Sequence, residues 1–128
     1  MPFLTQFEAA DFRLEYLIGL KGRRKLFVVF STYGEREAGL IRDKISLLRR
    51  ELGAYVDRIF LSHRRVDAKS PEKTEDMARR ADMDAGIIVC NDIEVPDMGA
   101  EQGKGSDMRR ALYHLMNMHR SDRDFRDA

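Results

Sequence analysis

The segment Gly103-Lys104-Gly105 places a lysine between two glycines, directly before the predicted start of a helix. Glycine lets the backbone approach a ligand closely, and the free N–H groups at a helix N-terminus favour a bound anion. The Lys104 ammonium adds a full positive charge, which suits a phosphate or a diphosphate. The segment is not a Walker A loop, because the pattern Gly-x-x-x-x-Gly-Lys-Ser/Thr is missing. The alternative is a flexible loop that precedes Ser106 as the helix N-cap, and the spacing alone does not separate the two.

A second set of polar side chains, Ser31, Thr32, Tyr33 and Glu35, follows the first predicted strand. An aromatic ring there can stack on a base or a ribose, and a carboxylate can accept hydrogen bonds from ribose hydroxyls. The charge of Glu35 would also favour the N-terminus of the helix that follows, which leaves a purely structural alternative. The residue types therefore indicate nucleoside contacts at this turn.

The histidines and the single cysteine offer weaker signals. His63 has the chemistry of a general base, but the sequence fixes no carboxylate beside it, so we predict an exposed histidine. His114 and His119 lie on one predicted helix without the i, i+4 spacing of a metal pair, and we assign them no role. Cys90 ends an apolar run, which predicts a core residue rather than a nucleophile. As the only cysteine it also excludes an intramolecular disulfide.

The composition is that of an ordinary folded domain, with 128 residues, 43% of them apolar, and a formal net charge of +1. This length fits one hydrophobic core, and the balanced charge carries no electrostatic footprint for nucleic acid or an acidic membrane. No run approaches the length of a membrane span and no signal-peptide pattern is present, so we expect a cytoplasmic protein. Short basic clusters are predicted to be solvated, namely 23–25, 49–50 and 63–65.

Hydrophobic periodicity predicts strands that alternate with helices. Ser70 is the predicted N-cap of one helix, with Pro71 at its first position. The alternation implies a parallel sheet with helices on both faces and a ligand outside the carboxyl ends of the strands, in loops 31–36, 62–69 and 91–105. The predicted strands span 25–31, 55–62 and 85–90, and the predicted helices span 4–20, 36–52, 70–83 and 106–119.

Helical spacing also predicts which side chains face the core. The N-terminal helix is apolar on several sides, so it needs cover from the domain, from further chain or from a partner. The methionines of the last helix are predicted to fill the core. The predicted inner faces are Leu40, Ile41, Ile45, Leu48 and Leu52 in one helix, and Met108, Ala111, Leu112, Leu115 and Met116 in the last.

These segments, in this order, resemble the start of the family-2-like GT-A glycosyltransferases over roughly residues 25–119. The segment Val28-Val29-Phe30-Ser31-Thr32-Tyr33-Gly34-Glu35 is similar to the family's first strand and its Pro-x-Tyr-Asn-Glu-like turn, with serine for proline and glycine for asparagine. The segment Gly103-Lys104-Gly105-Ser106-Asp107-Met108 resembles the form of the branch that makes mannosylglycerate and glucosyl-3-phosphoglycerate. The second strand departs from the family, because Ser62-His63 stands where an acidic pair reads the nucleobase.

The resemblance implies a three-layer α/β/α, Rossmann-like GT-A fold with a mainly parallel, truncated sheet. It implies a GDP- or UDP-sugar donor, whose sugar passes to a hydroxyl acceptor in the complete enzyme. No residue matches the family's catalytic base. The implied donor-nucleotide contacts are Ser31, Thr32, Tyr33, Glu35 and Ser62, and the implied diphosphate contacts are Gly103, Lys104 and Gly105.

The resemblance further implies Mg²⁺ or Mn²⁺, held by an Asp-x-Asp motif on the next strand. Asp122 and Asp124 have the letters of this motif, but no apolar strand precedes them, which favours a charged linker. We therefore expect the N-terminal portion of such an enzyme, inactive by itself. Its expected divisions are a helical extension at 1–24, the nucleotide-sugar-binding domain at 25–119, and a charged tail at 120–128 that leads to the missing metal-binding strand.

Two other functions stay open. One is a non-catalytic interaction module that forms a homodimer through its apolar N-terminal helix. The other is a sugar nucleotidyltransferase, which uses a related sheet. Its glycine-rich phosphate loop is expected directly after the first strand, where Thr32-Tyr33-Gly34-Glu35 has a single glycine and no lysine.

Overall fold

The computed structural model describes residues 19, 21–22 and 24–121, and three strands and three α-helices lie between residues 27 and 121. The residues predicted for a metal, Asp122 and Asp124, lie outside the described residues, as does most of the helix predicted at 4–20 and with it the predicted dimer contact. The elements are β1 (Phe27–Tyr33), α1 (Ala38–Leu52), β2 (Arg58–Arg64), α2 (Lys73–Ala81), β3 (Gly86–Val89), a short 3₁₀ turn (Cys90–Asp92) and α3 (Lys104–Ser121).

The three strands form one parallel sheet in the order β1-β2-β3. The register pairs Thr32 with His63 and Tyr33 with Arg64, at the carboxyl ends of β1 and β2. Both crossovers move one strand in the same direction, so right-handed connections put α1 and α2 on the same face of the sheet. The predicted mixed α/β architecture with a parallel sheet is confirmed.

Alternating side chains of the strands build one core on each face of the sheet. Ile59 and Leu61 of β2 pack with α1 and α2, whereas Phe60 packs with Ala111 of α3 on the opposite face. Gly86 is required beside Phe60, because a Cβ at this position would lie 2.5 Å from the phenyl ring. Cys90 is 1% exposed, which confirms its predicted place in the core.

The predicted inner faces of two helices are partly wrong. Ile41 and Ile45 of α1 are buried as predicted, but Leu40 and Leu52 are exposed. The helix packs on the sheet and on α2 through a face centred on Ile45, which turns the outer leucines toward solvent. In α3, Ala111 is buried and Met108 and Leu115 pack against the core, whereas Leu112 and Met116 are exposed. None of the described helices is long and apolar enough to cross a membrane.

Two strands extend further than their apolar runs predict. β1 continues through Thr32 and Tyr33, and β2 continues through His63 and Arg64, all four of which had been predicted in loops. The parallel pairing of β1 with β2 includes these polar residues, so both strands extend to them. Three of the four side chains are buried, and only Tyr33 is exposed.

The starts of α2 and α3 also differ from the prediction. The N-cap of α2 is Glu72 rather than Ser70, and the Glu72 N–H donates to the Glu75 carboxylate at 3.0 Å. Ser70 instead donates its hydroxyl hydrogen to Asp67 at 3.1 Å. The helix α3 begins at Lys104, two residues before the predicted start at 106.

Candidate functional site

A large cleft lies where the carboxyl end of β1 meets the start of α3. Its volume is about 850 Å³, which is the size of a site for a small ligand. The cleft is at the edge of the sheet where a parallel α/β fold binds its ligands. Its lining residues are Ser31, Thr32, Tyr33, Gly34, Glu35, Arg36, Glu37, Arg64, Val66, Gln102, Gly103, Lys104 and Asp107.

The cleft brings together the two groups of residues that the sequence singled out. Tyr33 is 65% exposed at the end of β1, and the exposed Lys104 is the first residue of α3. The φ of Gly103 is +137°, a conformation that glycine adopts readily, and its carbonyl accepts the Asp107 N–H at 2.9 Å. The polar residues of β1 therefore face the first turn of a helix across one cavity.

The turn after β1 is held from two sides. The Gly34 N–H donates to the Arg64 carbonyl at 3.0 Å, and the Gly34 carbonyl accepts the Thr74 hydroxyl hydrogen at 2.6 Å. Gly34 has a φ of +65°, which favours glycine. The Glu35 carboxylate accepts the Lys73 N–H at 3.1 Å, at the start of α2 rather than of α1. These bonds fix the backbone beside Tyr33.

Two of the predicted contact residues lie elsewhere. Ser62 is 0% exposed on the α3 face of β2, and its hydroxyl is 3.1 Å from the Cys90 sulfur. Gly105 lies in the first turn of α3 and is not among the residues that line the cleft. Burial raises the pKa of the Cys90 thiol, although the Ser62 hydrogen bond partly opposes this shift.

His63 is part of a buried polar network, so the prediction of an exposed histidine is wrong. Its ring is 0% exposed, with Nδ1 2.7 Å from the Thr32 hydroxyl and Nε2 2.8 Å from a Glu72 oxygen. Because a carboxylate only accepts hydrogen bonds, Nε2 carries a proton and donates to Glu72. The Arg65 guanidinium donates twice to the Glu75 carboxylate, both times at 2.7 Å. We call these five residues the histidine cluster.

Arg64 is buried on the opposite face, which corrects the prediction that residues 63–65 form a solvated basic cluster. Its Nε and Nη2 donate to the two Asp107 oxygens at 3.1 Å and 2.5 Å, and Arg110 Nη1 donates to Asp107 at 2.8 Å. Arg110 also donates to the carbonyl of Glu101. We call Arg64, Asp107 and Arg110 the arginine cluster.

The contacts within the arginine cluster shift the pKa values of Asp107 and Arg64. Burial alone would raise the pKa of the Asp107 carboxyl, but the hydrogen bonds and charges of Arg64 and Arg110 hold it below its usual range. The hydrogen bond to Asp107 raises the pKa of Arg64. Asp107 is therefore ionised at neutral pH, and both arginines are fully charged.

The sequence did not predict either cluster, because the residues that bond to each other in them are distant along the chain. Arg64 and Asp107 are 43 residues apart, and Thr32 and His63 are 31 apart. One signal was available in the run Ser62-His63-Arg64. It directly follows the apolar segment of the strand, so its side chains would point alternately to the two faces of the sheet if the strand continued. Asp107 and Arg110, spaced i, i+3 on a helix, were a second signal.

A smaller cleft of about 390 Å³ adjoins the arginine cluster. It lies between the end of β3 and the loop that leads to α3. Arg64 and Gln102 line both this cleft and the large one, so they stand at the boundary between the two. The other lining residues are Cys90, Asn91, Ile93, Glu94, Val95, Gly99, Ala100 and Arg110.

The expected Mg²⁺ or Mn²⁺ stays a prediction. Within the part of the chain that the structure describes, no three histidine, cysteine, aspartate or glutamate side chains are grouped to hold a metal ion. The two aspartates named for this role, Asp122 and Asp124, lie outside that part.

The geometry establishes a mixed α/β chain with two clefts at the carboxyl edge of its parallel sheet. In comparisons with known proteins, no family model, no curated protein and no solved structure matches this chain.

Proposed function

We propose that this chain is the nucleotide-diphospho-sugar-binding part of a GT-A-type glycosyltransferase. The observation that supports this function is the large cleft, which Thr32, Tyr33 and Glu35 line together with Lys104 at the start of α3. In the complete enzyme, the oxygen of an acceptor hydroxyl bonds to the sugar and gives up its proton, while the bond between the sugar and the diphosphate breaks and the nucleoside diphosphate leaves. The residues of this chain bind and orient the donor for that step.

The two walls of the cleft suit the two ends of such a donor. Lys104 adds its charge to the free N–H groups of the first turn of α3, which together favour a diphosphate. The Tyr33 ring is exposed and available for stacking on a base. The Glu35 carboxylate, also exposed, has lone pairs left to accept ribose hydroxyls.

The chain path supports the same placement. The helices α1 and α2 pack on one face of the sheet, whereas α3 packs on the other. The chain thus changes faces after β3, and α3 begins beside the carboxyl ends of β1 and β2. Ligands of parallel α/β folds bind outside the carboxyl ends of the strands, and the large cleft lies at this edge.

Isothermal titration calorimetry of the chain with UDP-glucose and GDP-mannose, each with Mn²⁺, tests the proposal. We expect saturable binding of one of the two. Lys104→Ala removes a charge-assisted contact and should weaken that binding by about tenfold. Tyr33→Ala removes a stacking surface and should weaken it by a similar factor, about tenfold.

Lys44→Ala is the matched control, because Lys44 is exposed on α1 and lines neither cleft. It should leave the affinity unchanged. If neither nucleotide sugar binds, or if Lys104→Ala binds as tightly as Lys44→Ala, the proposed function is wrong.

A further inference from the structure

The arginine cluster holds more positive than negative charge. Arg64 is 8% exposed, Arg110 is 4% exposed, and the Asp107 carboxylate is the one acidic side chain that either guanidinium contacts among the described residues. The cluster therefore carries a net charge of +1, from two guanidinium groups and one carboxylate. Arginine does not deprotonate in proteins, so this excess persists at any pH at which the chain is folded.

One guanidinium nitrogen of Arg64 has no hydrogen-bond partner among the described residues. Nε and Nη2 of Arg64 are occupied by Asp107, and Nη1 makes no hydrogen bond to any described residue. No fully buried side-chain nitrogen or oxygen of the described residues lacks a partner, so Nη1 must reach an accessible surface. Arg64 lines both clefts, which are therefore where we expect its unpaired N–H groups to be accessible.

A second hydrogen-bond donor, which is uncharged, lies at the boundary between the clefts. Gln102 is exposed, lines both cavities beside Arg64, and makes no side-chain hydrogen bond to the described residues. Its amide carries two N–H donors. An oxyanion at this boundary would meet donors from two side chains and the excess charge of the arginine cluster.

We propose that Arg64 and Gln102 form an oxyanion-binding site at the boundary of the two clefts, for a phosphoryl group of a bound ligand. Asp107 orients the Arg64 guanidinium, and Arg110 supplies the charge that Asp107 would otherwise cancel. The site is distinct from Lys104, which lines the large cleft but not the smaller one. It also goes beyond the proposed function, because it assigns a ligand group to the smaller cleft whether or not the ligand is a nucleotide sugar.

Titration of the full chain with inorganic phosphate and then pyrophosphate, followed by NMR of the arginine Nε–H groups, tests the site. We expect saturable shifts of the Arg64 signal. Gln102→Glu puts a negative charge at the boundary without touching the buried cluster, and should weaken phosphate binding by about tenfold. Asn117→Asp adds the same charge at an exposed position of α3 outside both clefts, and should not.

Three outcomes overturn the site: no saturable shift of Arg64, equal binding by Gln102→Glu and Asn117→Asp, or complete loss of binding in Lys104→Ala. The last would assign the anion to the start of α3 alone. Because the probe is phosphate, the result is independent of the calorimetry with nucleotide sugars. Phosphate binding at Arg64 without nucleotide-sugar binding would support the site and contradict the proposed function.

Discussion

The histidine cluster and the arginine cluster lie on opposite faces of β2, and neighbouring residues of that strand begin them. His63 faces α2, where two carboxylates and one guanidinium surround it. Arg64 faces α3, where two guanidinium groups share one carboxylate. With a neutral imidazole the first cluster carries −1, and the second carries +1.

The difference between them is the balance of carboxylates and guanidinium groups. In the histidine cluster, two carboxylates accept from one guanidinium and from Nε2 of His63. In the arginine cluster, one carboxylate faces two guanidinium groups, which leaves N–H donors of Arg64 for the anion that we propose. This contrast explains why we assign a structural role to the first cluster and a ligand to the second.

The largest loss of stability is expected when the arginine cluster is broken. Asp107→Asn leaves two buried guanidinium groups without a carboxylate, and should lower the free energy of unfolding by about 3–5 kcal/mol. Urea denaturation followed by circular dichroism measures it. The control Asp43→Asn removes an exposed carboxylate of α1 and should change stability by no more than about 0.5 kcal/mol. A loss below about 1 kcal/mol for Asp107→Asn would contradict the role of Asp107.

Breaking the histidine cluster should cost less. Glu75→Gln removes the negative charge opposite Arg65 and replaces one of the two accepting carboxylate oxygens with an NH₂ donor, and should lower the free energy of unfolding by about 2–3 kcal/mol. Glu72 remains to balance the Arg65 charge. The adjacent control Asp76→Asn loses an exposed ion pair with Arg80 and should cost about 0.5 kcal/mol. A larger loss for Glu75→Gln than for Asp107→Asn would reverse the ranking of the two clusters.

Acid should weaken both clusters through their carboxylates. Burial alone would raise the pKa values of Glu75 and Asp107, but their arginine partners hold both below the usual range. Each contribution to stability is then complete above the unfolded pKa, near pH 4, and is lost as the pH falls through the lowered folded pKa. Each group adds a slope of at most about 1.4 kcal/mol per pH unit.

Denaturation curves between pH 7 and pH 2 measure these slopes. Asp107→Asn should have a shallower slope than the unmodified chain below pH 4, because one titrating group is gone. Parallel curves for the two proteins would show that Asp107 does not contribute.

The smallest expected effect concerns the hydrogen bond between His63 and Thr32, a residue that also lines the large cleft. Thr32→Val keeps the shape of the side chain and removes the hydroxyl at Nδ1 of His63, at a cost of about 1 kcal/mol. The ¹⁵N signals of the His63 ring should shift, whereas the control Ser46→Ala, exposed on α1, should leave them unchanged. Unchanged His63 signals in Thr32→Val would remove Thr32 from the cluster.

Much of the candidate site was predictable because it depends on local pattern. The apolar run before Ser31 and the glycines around Lys104 predicted a strand end and a helix start, and the parallel topology brought both to one cleft. The burial of Ser62 was not predictable, since its neighbour Cys90 comes from the 3₁₀ turn that follows β3, 28 residues further along the chain.

The sequence by itself determined the alternation of strands and helices, the parallel sheet and the core position of Cys90, because backbone periodicity is a short-range property. Only the tertiary structure decided that Leu112 and Met116 are exposed and that His63 and Arg64 are buried. A charged side chain can be buried at an acceptable cost only when a partner of opposite charge lies within hydrogen-bond distance. For Arg64 that partner is Asp107, which folding alone brings to the end of β2.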